Sequence, residues 1–238
     1  MAIDEALLEV AKVPSIRFYS WQSPALSFGY FGKFADVAEY ATERDLVRRW
    51  TGGGIVFHGE DLTYSIVIPA NDPVFAESSM SIYEKIHCAL CNALVAGGQR
   101  ATAAGVPESE RLPEHARCHS RQRCSHAPVA RSTPRVPACH DGPQGRGYNP
   151  PLCFANTVRA DVMLNGHKIA GAAQRRTRSG WLHQGSIQNV DLANGLTERF
   201  AQALSAKCSD RKIDNDVLKR ACELAKQKYA AEDWLRKR

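Results

Sequence analysis

The 238-residue sequence has no run of about eighteen apolar residues, so no segment is expected to cross a membrane as a helix. Its first residues, Met1-Ala-Ile-Asp-Glu-Ala-Leu-Leu, lack the basic and greasy character of a signal peptide, and a cytoplasmic location is expected. Without a secretory signal, the eight cysteines are expected as free thiols. Excess charge is also missing from most of the chain. Residues 99–151 carry eight arginines against four acids, which leaves only +2 of the overall +6 for everything else. A body so close to neutral offers no nucleic-acid footprint.

The same stretch, 99–151, lacks lysine, and its only large apolar residues are Val106, Leu112, Val129, Val136 and Tyr148. It nevertheless holds eight of the twelve prolines. Such a composition cannot bury enough apolar surface to offset the entropy of ordering it. It is expected to be a disordered or aberrant insertion between two halves, 1–98 and 152–238, of a single domain. The Arg/Pro/Ala/His/Cys/Ser mix is what GC-rich DNA yields when read out of frame. Cys118, His119, Cys124, His126, Cys139 and His140 are zinc-type ligands, but their spacing matches no common zinc module, and no metal is expected.

What is present alternates between strand and helix patterns. Ile3, Ala6, Leu7 and Val10 recur at helical spacing, with Asp4 and Glu5 in the first turn. Ser15–Trp21, Ala25–Phe31 and Leu46–Trp50 read as strands, Val37–Arg44 as a helix, and Ser81–Val95 as another. Ile55–His58 and Leu62–Ile68 read as a hairpin through Gly59-Glu60-Asp61. Asn165-Gly166 between apolar runs signals a second hairpin, because both central residues of a type I′ turn need positive φ. That register sets Lys168 opposite Met163. Leu196–Trp234 reads as two or three helices. Strands arriving as hairpins predict an α/β (α+β) fold: a mixed, largely antiparallel sheet flanked by helices.

Four motifs can carry chemistry. In Arg48-Arg-Trp-Thr-Gly-Gly-Gly-Ile-Val-Phe-His58, three glycines leave backbone N–H groups open to an anion or acyl carbonyl, and two arginines add charged donors. Alone, a triple glycine is more often a flexible turn with exposed arginines, and it matches neither a phosphate-binding G-x-x-x-x-G-K-[ST] loop nor a G-x-G-x-x-G fingerprint. Lys168 precedes a strand of small residues that a ligand can approach closely; the bland reading is a solvated lysine beside a turn. Cys153 is a candidate nucleophile if a cation lies near, and otherwise an inert thiol. It stands ten residues before Met163, about 33 Å of extended strand, so the chain must fold back to bring it to Lys168. His183, beside a glycine in a strand-like stretch, is read as structural.

Taken in order, six segments resemble the biotin/lipoate protein ligase catalytic family, in its lipoate ligase and octanoyltransferase branch. They are Met1–Glu9, Ser27-Phe-Gly-Tyr-Phe31, Val47–His58, Leu62-Thr-Tyr-Ser65, Asn165–Gln174 and Leu182–Ile187. The resemblance implies a class II synthetase-like domain with a roughly seven-stranded sheet, and an acyl chain threaded near the glycine loop. Arg49, Thr51, Gly52, Gly53, Gly54 and His58 match the family's ligand-binding loop. Lys168 matches the lysine that holds the activated carboxyl group, and Gly171, Ala172 and Ala173 match the small residues lining that site. Family ligases use ATP and Mg²⁺; family transferases take the acyl group from acyl carrier protein through a cysteine thioester, with no cofactor. Cys153-Phe154 stands where one transferase type has its Cys-Phe pair, and no separate C-terminal domain is evident, so transfer is favoured over ligation. The implied acceptors are lipoyl-domain proteins, namely E2 subunits of 2-oxoacid dehydrogenases and the glycine cleavage H protein. The sequence departs from the family in beginning at the Met1–Glu9 helix, in its long insertion, and in His167 where lysine or arginine is common.

Overall fold

Runs of apolar residues at strand spacing assemble two sheets. In the computed structural model, which describes residues 1–107, 154, 156–192 and 195–237, the larger sheet has six antiparallel strands. They are β1 (Ser15–Tyr19), β5 (Leu62–Pro69), β6 (Ala101–Ala103), β7 (Val162–Leu164), β8 (His167–Arg176) and β9 (Gly180–Ile187), in the order β1-β5-β9-β8-β7-β6. The smaller sheet sets β2 (Ala25–Phe28) between β3 (Asp45–Arg48), which is parallel to it, and β4 (Val56–His58), which is antiparallel. The mixed, largely antiparallel architecture expected from the hairpins is therefore present, and among the described residues it comprises nine strands in two sheets.

The central strand β5 is covered on both faces, which is why it reads as a nearly continuous apolar run. Tyr64, Ile66 and Ile68 point to one side, where α2 (Ser79–Ala96) and α3 (Leu196–Leu204) close the main core. Val67 points to the other, against Leu8 of α1 (Ala2–Val10) and Leu182. Phe200 of α3 is fully buried, its ring edge-on to Tyr64 at 5.2 Å. Two further helices, α4 (Asn215–Leu224) and α5 (Glu232–Leu235), follow, and α4 packs its Val217, Ala221 and Leu224 on Ala6.

Several sequence expectations need correction. The helix α1 forms, but its Val10 is exposed while Asp4 and Glu5 are buried. Asp4 accepts hydrogen bonds from Arg17, Ser65 and Gln184, and Glu5 accepts from Lys228 and Tyr229. These acids stand in the first turn as expected, and they tie the helix to the sheet and to α4's continuation. No helix spans 37–44; two 3-10 turns, Phe34–Asp36 and Ala38–Thr42, flank buried Val37. β4 and β5 are not a hairpin, since β4 pairs with β2 and β5 with β1 and β9. Asp61 accounts for this. Its carboxylate accepts the Gly59 N–H and the His58 Nδ1–H, satisfying locally what a hairpin ladder would supply. Finally, residues 99–106 do not belong with the insertion: Ala101–Ala103 is β6, and Val106 is buried in the main core. From residue 108 on, the composition-anomalous stretch, with its cysteine and histidine pairs, lies outside the described residues.

The second hairpin forms as expected. Asn165 (φ 50°) and Gly166 (φ 81°) turn β7 into β8, and Met163 faces Lys168. Of the described residues, those from Met1 to Val106 and those from Phe154 onward form one compact unit. Replacing Phe200 with Ala, which opens a void beside Tyr64, is expected to lower unfolding free energy by about 3–5 kcal/mol. Urea denaturation of the two proteins checks it.

Candidate active site

The triple-glycine segment is shaped by its strand. Alternation along β3 and its exit sends neighbouring arginines to opposite sides. Arg48 turns away from the loop and spends its guanidinium on the carbonyls of Tyr30, Gly32, Leu235 and Lys237. It ties down the chain's last helix, so the sequence reading of two arginines at one site is corrected to one. Arg49 turns inward. Its Nη2 donates to the carbonyls of Gly52 (3.0 Å) and Gly54 (2.7 Å), and its Nη1 donates to Ser27 Oγ at 2.8 Å. Thr51 Oγ1 donates to Gln184 Oε1 on β9 at 2.9 Å, which joins the loop to the large sheet. The loop lies so close over Gly29 that a Cβ there would stand 2.1 Å from the Gly53 carbonyl oxygen. Gly53 itself takes φ 85° and faces Ala173.

Lys168 is the second component. It is buried, and its ammonium pairs with Asp161 Oδ2 at 2.8 Å and donates to the Asn156 carbonyl at 3.1 Å. Its Nζ also lies 5.5 Å from the centre of the Phe154 ring. Its aliphatic end rests on Gly171, where a Cβ would meet Lys168 Cε at 2.6 Å. Glycine is required at 171 for that reason. Cys153 lies outside the described residues. The fold-back expected of Cys153 therefore falls on a residue outside those described; of the residues that follow it, Asn156 accepts from the Lys168 ammonium and the Phe154 ring lies 5.5 Å from it.

Asp161 was not legible in the sequence as a site residue. Fully buried, it accepts Tyr83 Oη at 2.6 Å and the Val158 N–H at 2.7 Å as well as Lys168. It follows Ala160, whose φ of 67° is unusual for a non-glycine residue. Tyr83 in turn receives the Ala172 N–H at 3.1 Å. Burial and the Asp161 charge both push the Tyr83 hydroxyl well above its ordinary pKa, so it remains a neutral donor.

Beside the Arg49-tied loop runs a narrow cleft lined by Ser27, Arg49, His58, Gly171, Ala172 and Ala173, with Thr63, Gln184 and Ser186 among its other walls. Of the residues expected at the site, Arg49, His58, Gly171, Ala172 and Ala173 face this cleft. Thr51 and Gly52–Gly54 form the adjoining loop, and Lys168 stands behind Gly171. Ser27 and Asp61 were missed by sequence reasoning, although a serine between Leu26 and Phe28 in a wholly buried strand was a signal. Ser27 Oγ is 2.6 Å from His58 Nε2, and His58 Nδ1 is 2.8 Å from Asp61 Oδ2. Burial alone would raise the Asp61 carboxyl, but hydrogen bonds from His58, Ser186 and Gly59 outweigh it and hold the group below the usual carboxylate value. His183 is fully buried in the core, stacked on Tyr64, and burial keeps it neutral.

The family model for the lipoyl protein ligase A/B catalytic domain matches residues 1–229. The chain is similar to proteins named octanoyltransferase LipM. It is 32% identical to that of Macrococcus caseolyticus over 81% of this chain and 62% of the relative. It is 30% identical to that of Brevibacillus brevis over 86% and 68%. The chain thus spans under two thirds of the first relative's length. In architecture it is similar to a lipoate-protein ligase A crystallised with ATP, with a TM-score of 0.67, 19% identity, and coverage of 98% and 91%. At that identity the likeness shows the fold.

Two outcomes follow from the buried charges. Asp161→Asn leaves the Lys168 ammonium buried without its counter-charge, and is expected to cost about 3–5 kcal/mol of stability. Adding Lys168→Met should recover much of that loss in chemical denaturation, because it removes the orphaned charge. Asp61, with its folded pKa depressed, binds its proton more readily unfolded than folded. Its contribution is therefore full above the ordinary carboxylate pKa of about 3.9 and lost as pH falls through the depressed folded value. Asp61→Asn should flatten the acid limb of the stability–pH curve, as measured by urea midpoints across that range.

Proposed function

Because this chain belongs to the lipoyl protein ligase A/B catalytic domain family, we propose that it is an octanoyltransferase that places an eight-carbon acyl group on the lysine of a lipoyl-domain protein. The observation that carries this reading is the meeting of Phe154 and Asn156 with the buried Lys168 ammonium. Phe154 lies near a fixed positive charge, and this reading puts the adjoining Cys153 thiol under the same charge, the environment that activates a thiol.

In this reading the Cys153 thiolate attacks an octanoyl thioester presented by acyl carrier protein, and the donor's thiol leaves. Lys168, held by Asp161, supports the thiolate and donates to the acyl oxygen as negative charge develops there. The small residues Gly171–Ala173 and the Arg49-tied loop bound the space for the acyl chain. The acceptor lysine then attacks the acyl-enzyme to form the amide. The transfer needs neither ATP nor Mg²⁺, and a cytoplasmic setting with E2 subunits or the H protein as acceptors goes with it. The catalytic domain would comprise the sequence on both sides of the central insertion, which starts after β6 rather than at residue 99.

Intact-mass measurement after incubation with octanoyl-acyl carrier protein tests the proposal. One octanoyl adduct is expected on the native chain and none on Cys153→Ala, while Lys168→Met should slow its formation by roughly 10²–10⁴-fold. An adduct that survives Cys153→Ala overturns the thioester route. Lipoate-dependent exchange between ATP and pyrophosphate would assign ligation instead.

A further inference from the structure

Amide formation releases a proton, and the residue expected to be nearest the chemistry has no way to take it. An attacking amine becomes cationic as its nitrogen bonds to the acyl carbon, and it must lose a proton before the thiolate departs. Lys168 is paired as an ammonium with Asp161, and an ammonium donates only. Arg49 is permanently charged and likewise accepts nothing. Thr63, Gln184 and Ser186 do not titrate, and the Met1 amine is itself ion-paired to Asp4 at 3.6 Å. Among the described residues, His58 is the one side chain lining the cleft that can hold an additional proton.

Its neighbours fix which nitrogen is available. Asp61 accepts the Nδ1–H at 2.8 Å, so the lone pair lies on Nε2, facing Ser27 Oγ at 2.6 Å. Ser27 must therefore donate its proton to His58. Of its two acceptor sites, one takes the Arg49 Nη1–H at 2.8 Å. The second remains for a donor in the cleft that Ser27 lines. Trp21, stacked on the imidazole at 4.3 Å, and the Thr63 and Ser186 hydroxyls on Asp61 hold the chain in place. Arg44, which donates to the His58 carbonyl, and Arg49 are the other charged groups facing this histidine.

We propose that Ser27, His58 and Asp61 form the proton relay that serves amide formation. As the acceptor amine attacks, its N–H proton passes to Ser27 Oγ while the Ser27 proton passes to His58 Nε2. The carbon–sulfur bond breaks, and the imidazolium returns the proton to the departing thiolate. Atoms and charge balance as amine plus thioester giving amide plus thiol. Asp61 holds the histidine in the accepting tautomer and offsets the imidazolium charge, the role such a carboxylate plays wherever serine, histidine and aspartate align. This assignment rests on the acyl-transfer reading of the site.

The test follows octanoyl-enzyme formation and its decay onto a lipoyl-domain acceptor as separate single-turnover steps across a range of pH. In the full-length Ser27→Ala and His58→Gln variants, the octanoyl adduct should accumulate while amide formation falls roughly 10²–10⁴-fold. Native and variant rates should both rise as the acceptor lysine amine, of ordinary pKa about 10.4, loses its proton. The variants should keep rising with hydroxide, so the defect narrows at high pH. Asp61→Asn should give an intermediate loss. A pH-independent defect, or an equal loss in both steps, would mean that these residues only hold the loop, and overturns the relay. If the native chain forms no octanoyl adduct at all, the transfer reading itself fails and the relay with it.

Discussion

The buried pair of Lys168 and Asp161 is the constraint around which the rest of the site is arranged. Removing two charges from water costs several kcal/mol per ion, and the mutual attraction repays this only with good geometry and extra hydrogen bonds. Both conditions are met here: the pair is 2.8 Å apart, Tyr83 and the Val158 amide complete the carboxylate, and the Asn156 carbonyl helps complete the ammonium. Such a pair adds little to stability. What it provides is an ammonium held in one place behind Gly171, which a solvated lysine on a β-ribbon could not be. The energetic burden falls on the turn at 158–161, where Ala160 adopts a left-handed conformation so that the next residue can point inward.

Behind this pair the core carries a second polar chain, and its internal logic is fully determined. His87 Nδ1 lies 2.7 Å from the Ala160 carbonyl and must donate to it, which leaves Nε2 to accept from Tyr64 Oη. Tyr64 has then used its proton, so His183 Nε2 donates to it and His183 Nδ1 accepts from Gln174. Every member is satisfied only while both imidazoles are neutral. Burial ensures that, holding His87 down to about 4 and His183 lower than an ordinary histidine. A network complete in one protonation state specifies a unique packing around the strained Ala160 carbonyl. It thereby buttresses the turn that presents Asp161.

The parts of this design that were legible in the sequence are those encoded by backbone chemistry. Asn165-Gly166 could only be a tight turn, and its register placed Lys168 opposite Met163 as found. Three successive glycines left a flexible turn and an open backbone site both possible, and the structure shows the loop passing closely over Gly29. What was hidden depends on pairings between distant segments. Arg48 and Arg49 look equivalent as neighbours, and only strand alternation, which sends them to opposite sides, separates a structural clamp from a site residue. Asp4 and Glu5 sit where helix acids are usually solvated, and nothing local reveals that Arg17 and Lys228 are waiting for them. The apparent hairpin at Gly59-Glu60-Asp61 misled for a similar reason. Its aspartate caps the turn with its own side chain, freeing β4 to join the other sheet.

That crossing between sheets has a chemical consequence. Because β4 pairs with β2, Ser27 and Val56 are direct partners, and His58 emerges at the edge of the small sheet. Because β5 belongs to the large sheet, Asp61 and Thr63 arrive from there, beside Ser186 of β9. The site thus divides into regions of opposite proton character. Behind the wall that β8 gives the cleft, Lys168 of β8 and Tyr83 of α2 donate to one carboxylate, Asp161. The opposite wall ends in an imidazole whose lone pair is turned toward a hydroxyl. A reaction that builds negative charge on an acyl oxygen and positive charge on a nitrogen needs both characters at once. A single sheet would have to find them on one surface, where a carboxylate close enough to orient the histidine would also compete for the lysine. Dividing the donors and the acceptor between two sheets keeps Asp61 with its imidazole and Asp161 with its ammonium.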